Sequence, residues 1–459
     1  MIGNNAFWTL TGSYFGDPYW ANTVLLLHGD GTNTTQNNTF LDSSPNNLTI
    51  TRNGNPTQGT FSPFTGQGGS MYFDGSGDYL SVPASSNFDF GSGDFSIEGW
   101  IKSTNPTSTT EQRIVNFDKG IGGTGDFGWN FKILNSAIYF VVDKQAPGVT
   151  AIFSLSAPYT STDWNHIAVT KNGGTTRIFI NGAQVAISNT GYTIPTQPSP
   201  ANPLTVGIYY NYVSQYVFPF NGYLSNLRIS KGIARYTTNF TPPTAPLTSD
   251  ANTSLLLKGE NGAIIDSTRK NDLETVGNAQ ISTAQSKFGG SSMYFSNSVS
   301  SLRVPSSDAI NFGSGDFTVE MWINPTVLNT YNGLFDMRHT SATPAPLLFD
   351  IRTGSKPYIY INDGVVNSTG TSVIPTNQWT HLALVRKSNN IRVYVNGIKD
   401  NDVTFSGTIN SNLGLKIGAY YVDTTYDKFN GYIDDLRITK GVARYNANFT
   451  VPTQPFPNW

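Results

Sequence analysis

The chain repeats itself. LLLHGDG (Leu25–Gly31) returns as LLLKGENG (Leu255–Gly262), SMYF (Ser70–Phe73) returns at Ser292–Phe295, and FGSGDFSIEGWI (Phe90–Ile101) returns as FGSGDFTVEMWI (Phe312–Ile323). WNHIAVTKNGGTTRIFINGAQV (Trp164–Val185) returns as WTHLALVRKSNNIRVYVNGIKD (Trp379–Asp400), and FNGYLSNLRISKGIARYTTNFTPPT (Phe220–Thr244) returns as FNGYIDDLRITKGVARYNANFTVPT (Phe429–Thr453). Five blocks recur in the same order at a separation of about 200 residues, far beyond a solenoid period, so a whole domain is duplicated. The Pro-rich polar stretch around Thr241–Thr253 supplies the boundary. The expected division is one domain over residues 22–243, a linker over 244–253 and a second domain over 254–459. Residues 1–21 have no counterpart and read as a separate N-terminal segment.

Within each copy the local pattern is β. Phe95, Ile97, Gly99 and Ile101 alternate with Ser96, Glu98 and Trp100, and Ile178 and Ile180 alternate with Arg177, Phe179 and Asn181. Alternating runs rich in Ile, Val, Phe and Tyr, punctuated by NG, GSG and DG, predict short antiparallel strands. Asn181-Gly182 and Asn396-Gly397 suit the positive φ angles of type I′ hairpin turns. No long helical period appears, and each copy is expected to form a two-sheet β-sandwich.

Composition agrees and excludes several functions. Charged residues are only 13% of the 459, while Gly and Pro number 45 and 25, which suits many turns and no helical bundle. Hydrophobic residues at 38% and aromatics at 13% suffice for packed cores, so disorder is not expected. The net charge of −2 offers no basic stripe for nucleic acid. The absence of Cys excludes disulfides, thiolate metal sites and a Cys nucleophile. No apolar run is long enough to cross a membrane as a helix, and the first residues, MIGNNAFWTL, do not read as a signal peptide.

The ordered set FDGSGDYLSVP, DFSIEGWI, WNHIAV, RIFING and FNGYLSNLRI resembles the laminin-G-like, concanavalin A-like jelly-roll domains over nearly all of both copies. The resemblance implies an all-β chain of two tandem jelly-roll β-sandwiches, a fold that hosts lectins, adhesion modules and glycoside hydrolases. DPYWANTVLLLHGDGTNTT (17–35) and KGIARYTTNFTPPTAP (231–246) also resemble phage and prophage virion proteins. That resemblance implies a tail-fibre, appendage or capsid-surface protein on the virion surface, assembled in the host cytoplasm. The function expected is non-enzymatic attachment to a host-surface glycan, with a purely structural decoration protein and a glycan-degrading depolymerase as alternatives.

Candidate sites follow from residue chemistry. Asp94 with Glu98, and Asp316 with Glu320, are the nearest approach to a catalytic carboxylate pair, but the acids read better as a turn residue and a structural strand residue. His166 and His381, matched in W-x-H, read as structural. Laminin-G-like domains often hold Ca2+ at the sheet rim, which points to Asp74 and Asp78 in the first copy and Asp434 and Asp435 in the second. Tyr209, Tyr210, Tyr212 and Tyr216, with Tyr420, Tyr421 and Tyr426 in the second copy, precede the FNGY strands and are expected to contact sugar rings. Trp100, Trp322, Trp164 and Trp379 form matched pairs expected in the cores, and Trp129 falls in the longer loops of the first copy. Phe7, Trp8, Tyr14, Phe15, Tyr19, Trp20 and Trp459 crowd the chain ends and are expected to dock other virion proteins or a sister subunit, with a homo-oligomer as the assembly and a trimer as the guess for its symmetry.

Overall fold

The computed structural model describes residues 17–458 except 122–124, 144–150, 198–201, 211–215, 259, 297–298, 338–345, 363, 411–413 and 421–427. Among the described residues there is no α-helix, only three single turns of 3-10 helix between short strands. Each copy forms a sandwich of a front and a back sheet closed over an apolar core.

The first back sheet runs, neighbour to neighbour, through Ala183–Ser188, Thr175–Ile180, Asn165–Asn172, Phe95–Ser103, Asn221–Lys231, Ser70–Asp74 and Thr57–Gly59. The first front sheet runs through Phe153–Pro158, Ala137–Asp143, Gly125–Leu134, Gln112–Ile121, Leu204–Val206, Tyr79–Val82 and Thr51–Asn53. The second copy repeats this order, its back sheet centred on Phe317–Val327 and Asn430–Lys440, its front sheet on Tyr331–Asp336, Leu347–Arg352 and Lys356–Ile361. The short strand Thr57–Gly59 pairs with Asp272–Gly277, so the first back sheet continues into the second front sheet.

The local expectations hold where backbone chemistry decides them. Asn181 and Gly182 have φ angles of 49° and 76°, and Asn396 and Gly397 of 47° and 78°, as a type I′ turn requires. Gly182 has a second reason to be Gly, because a Cβ there would collide with the Phe240 carbonyl. Alternation sends Phe95, Ile97 and Ile101 into the first core, and Phe317, Val319 and Ile323 into the second. Trp100 and Trp322 lie on the other side of their strands and belong to neither inter-sheet core, because the same alternation turns them outward onto His166 and His381 at ring distances of 5.4 and 5.1 Å. Trp129 is the reverse case: it is fully buried in the first core, stacks on Phe90 and donates its indole N–H to the Phe88 carbonyl at 2.9 Å. Its strand, Gly125–Leu134, is a central part of the front sheet and not a loop insertion.

The structure departs from the sequence division in one strand of each copy. Thr253–Leu257, from the start of the second copy, pairs with Asn221–Lys231 of the first sandwich and puts Leu255 and Leu257 into the first core. Thr23–Leu27, from the start of the first copy, pairs with Asn430–Lys440 of the second sandwich and puts Leu25 and Leu27 into the second core. Each sandwich is thus completed by the leucine strand of the other copy. The reason is proximity: after Lys231 the chain doubles back through 232–252 and lays the next leucine strand alongside, occupying the edge first.

Candidate functional site

A buried cluster repeats on the outer side of each back sheet. Glu98 accepts from Arg228 through Nε at 3.0 Å and Nη2 at 2.6 Å, and from the Tyr236 hydroxyl at 2.7 Å, with His166 Nε2 at 3.3 Å. Glu320 accepts from Arg437 at 3.0 and 2.7 Å and from Tyr445 at 2.7 Å, with His381 Nε2 at 3.4 Å. Burial pushes both carboxyls up, but His166 and Arg228 beside Glu98, and Arg437 and His381 beside Glu320, outweigh it and hold both below the usual range. An anion whose oxygens are filled by arginine and tyrosine is a structural keystone and has no proton to give a leaving group. Asp94 and Asp316 are likewise occupied, accepting the Gly173 and Ser388 backbone N–H groups at 2.7 Å each.

The calcium candidates are spent in the same manner. Asp78 accepts from the Asn55 and Asp74 backbone N–H groups at 2.5 and 3.2 Å, and Asp74 accepts from that of Ser76 at 2.7 Å. Burial, with the neighbouring Asp74 charge, pushes the Asp78 carboxyl up to about 7. Asp434 accepts from the backbone of Lys287 and Phe288 at 2.7 and 3.0 Å, and burial pushes it up to about 7. Asp435 pairs with His28 Nδ1 at 2.5 Å and accepts from the Phe456 backbone at 2.7 Å. Ca2+ takes six to eight oxygens, and among the described residues no three acidic or His side chains converge as a metal group. In the described residues these carboxylates brace turns.

A second set of polar residues lies on the outer side of the front sheets, and in the first copy Arg113, Asn116, Asp118 and Asn130 are buried. In Gly125–Leu134 the core takes Trp129, Phe131 and Ile133, so Asn130 and Lys132 face away. Arg113, Asn116 and Asp118 on Gln112–Ile121 join them. Arg113 donates to Asn116 Oδ1 at 3.1 Å and Glu111 Oε2 at 3.1 Å, and Asn116 Nδ2 donates to Asp118 at 2.9 Å. Asn130 Nδ2 donates to Asp143 at 2.5 Å, while its buried Oδ1 has no hydrogen-bond partner. The Arg113 guanidinium lies 4.7 Å from the centre of the Tyr209 ring.

The second front sheet carries the same kind of platform. Leu347, Phe349 and Ile351 enter the core, leaving Asp350 and Arg352 outside. Arg352 Nε donates to Asp350 at 3.0 Å, and its guanidinium lies 3.3 Å over the Tyr358 ring and 5.3 Å from that of Tyr331. The Tyr420 hydroxyl donates to Asp350 as well. Tyr331, 39% exposed, is the ring this platform offers to solvent. Each face therefore joins an arginine, a carboxylate, planar amides or phenols, and aromatic rings. In the second copy Tyr331 offers a ring face of the kind that suits the apolar side of a sugar, and Arg352 a directional donor; in the first copy Arg113 and Tyr209 are both only 7% exposed.

Of the tyrosines singled out in the sequence, Tyr209 and Tyr420 have described side chains. Tyr209 and Tyr420 are 7% and 8% exposed, because Arg113 covers one and Asp350 anchors the other. They support the platforms from below and are not displayed as loop tips. Tyr210 and Tyr216 lie in the short strands Tyr209–Tyr210 and Tyr216–Val217 with side chains outside the described residues, as are Tyr212, Tyr421 and Tyr426 altogether. Phe7, Trp8, Tyr14, Phe15 and Trp459 also lie outside them. Tyr19 and Trp20 are described, and the segment they belong to is fixed to its own chain: Asp17 accepts from Arg437 at 3.1 Å and from Arg444 at 2.6 Å on the second sandwich. Residues 17–21 are therefore the lead-in to the strand Thr23–Leu27, with Tyr19 exposed. Arg113, Tyr331, Arg352 and Tyr358 escaped the sequence reading; the available signal was charge at alternate positions of otherwise apolar strands, as in QRIVNFD and FDIR.

Comparison with known proteins agrees with this architecture. The family model described as Concanavalin A-like lectin/glucanases superfamily (Laminin_G_3) matches residues 74–234 and 297–444. No curated protein matches the chain. Among solved structures, domain 4 of AbnA, a GH43 extracellular arabinanase from Geobacillus stearothermophilus in complex with arabinotriose, is 23% identical, covering 39% of this chain and 87% of that one at a TM-score of 0.32. Domains LG4-5 of the mouse laminin alpha1 chain are 13% identical over 84% of this chain and 92% of that one, at 0.29. The binding domain of botulinum neurotoxin serotype C1 is 12% identical over 93% and 96%, at 0.28.

Proposed function

The chain belongs to the concanavalin A-like lectin/glucanases superfamily, and from that premise we propose that it is a non-enzymatic glycan-binding protein with one binding platform on each front sheet. The observation that carries this reading is the recurrence, on the same face of both sandwiches, of an arginine packed against tyrosine and tied to a carboxylate: Arg113 with Tyr209 and Glu111, and Arg352 with Tyr331, Tyr358 and Asp350. Binding without hydrolysis is supported by the saturated state of Glu98 and Glu320.

The setting we propose is a virion surface, as a fibre, appendage or decoration protein with other virion proteins as neighbours and a host-surface glycan as ligand. Its support is the sequence resemblance carried by residues 17–35 and 231–246. Calcium has no part in this reading.

The test is binding of the full chain to an array of bacterial surface polysaccharides, with a reducing-sugar assay on each positive. Binding without sugar release is expected, and Arg352→Ala or Tyr331→Ala should weaken it by about tenfold, the loss of 1–2 kcal/mol from one packed polar contact. Unchanged affinity in both variants would remove the platform from consideration, and sugar release would replace the lectin with a hydrolase.

A further inference from the structure

The loops that follow the two leucine strands meet at the junction of the sandwiches. Asn37 Oδ1 accepts the Ala263 and Ile264 N–H groups at 2.7 and 2.9 Å, and Asn261 Nδ2 donates to the Thr39 carbonyl at 2.8 Å. The two loops differ in length. Asp266 follows Leu257 by nine positions, whereas Asp42 follows Leu27 by fifteen. These aspartates are counterparts, because each accepts a leucine-strand N–H at 3.0 Å, from Leu26 and Leu256 respectively. The extra length of the first copy falls in TNTTQNNT (Thr32–Thr39), a run of hydroxyl and amide side chains alone. Such a run adds nothing to either apolar core.

Its amides fix the run in place. Asn37 Nδ2 donates to the Leu273 carbonyl at 2.7 Å, and Gln36 Nε2 to those of Gly277 and Ala279 at 2.7 and 2.8 Å. Thr34, β-branched, is held at a φ of 66°, with its N–H on the Ile281 carbonyl at 2.8 Å. Strain of this kind persists only where surrounding bonds over-determine the backbone, and it gathers at ligand clamps. With the amides spent on the frame, Thr32, Thr34 and Thr39 stay exposed and line a cleft of about 600 Å3. That volume lies inside the roughly 300–1,000 Å3 of small-ligand sites, which favour junctions between domains. The facing wall comes from the second copy, where Ala263 and the 41% exposed Ile265 form an apolar strip. Asp30 and Glu260, matched in the two repeats, line the cleft as well, and among its described lining residues there is no Lys, Arg or His. Lys258, 3.9 Å from Glu260, lines the neighbouring pocket over Phe40 and Met71 instead.

We propose that this junction cleft is a separate ligand site and that it takes a neutral oligosaccharide. The strip of Ala263 and Ile265 suits the C–H face of a sugar ring, and the threonine hydroxyls both donate to and accept from ring hydroxyls. The carboxylates of Asp30 and Glu260 accept charge-assisted bonds from sugar hydroxyls. The same two charges repel uronates and other anionic sugars, so the cleft selects against them. Because the loop is fixed before a ligand arrives, little ordering entropy is lost on binding. The cleft shares no residue with the front-face platforms and does not rest on them.

The test is ligand-observed NMR and calorimetry on the full chain with neutral trisaccharides of glucose, galactose and mannose, followed by competition with a glucuronate-bearing trisaccharide. A neutral trisaccharide should bind, and the glucuronate compound should not displace it. Thr39→Trp, which fills the cleft from an exposed position, should weaken the neutral ligand by about tenfold or more. Absence of binding by every neutral trisaccharide, or unchanged affinity in Thr39→Trp, overturns the proposal. Asp30→Asn/Glu260→Gln alters two exposed side chains outside both cores and decides the matter should Thr39→Trp fail to fold. In that variant the glucuronate compound should displace the neutral one, and unchanged selectivity overturns the proposal. The platforms are judged separately, through Arg352→Ala.

Discussion

At the residue scale, the most consequential side chain of each sandwich is the glutamate of D-F-x-x-E. Glu320 is fully buried with two arginines, a tyrosine and a histidine around it. Removing one partner of such a buried pair leaves the others uncompensated, so Glu320→Gln should destabilise the protein by about 3 kcal/mol at neutral pH, read from urea unfolding. The sign of its pH dependence follows from a folded pKa held below the ordinary 4.5. Its stabilisation is fully present above that ordinary value and is lost as pH falls through the folded one. The gap between wild type and Glu320→Gln should therefore narrow from pH 6 to pH 3; a constant gap would mean that the carboxylate charge contributes nothing. The sequence showed this glutamate as structural because its strand alternates so cleanly. It did not show the arginine and tyrosine partners, which come from the strand Asn430–Lys440 and the loop after it, more than 100 residues later.

At the scale of elements, alternation and turn chemistry made the strands and the Asn-Gly hairpins readable, because both are local. Strand exchange was not readable. TSLLL and TVLLL are nearly the same word, and either fits either edge; which one goes where is decided by chain connectivity and not by composition. The assignment has a direct consequence. Leu27→Ala should lower amide protection in Asn430–Lys440 and leave Asn221–Lys231 intact, and Leu257→Ala should do the reverse, each at a cost of about 2–5 kcal/mol. Protection lost in the sandwich of the same sequence copy would refute the exchanged pairing. The platforms were half-readable for a similar reason: tyrosines near turns attract attention, whereas Arg113 and Arg352 sit in strands and meet Tyr209, Tyr331 and Tyr358 only when the front sheet forms.

At the scale of the whole molecule, the two platforms belong to one body, joined through the pairing of Thr57–Gly59 with Asp272–Gly277 and by the exchanged strands. Two weak sites on a common frame bind a dense surface more tightly than either alone. Arg113→Ala and Arg352→Ala should each reduce retention on immobilised glycan modestly, and the double variant should lose about 100-fold or more. A double variant no weaker than the worse single one would assign binding to one sandwich only.

The exchanged strand also sets an order of events during synthesis. Thr23–Leu27 is made before either sandwich, yet its seat is built from Arg437 and its neighbours, some 420 residues later than Asp17. Until Asn430–Lys440 is made, this strand has no seat of its own, so it precedes both sandwiches in synthesis and is among the last elements to find its place.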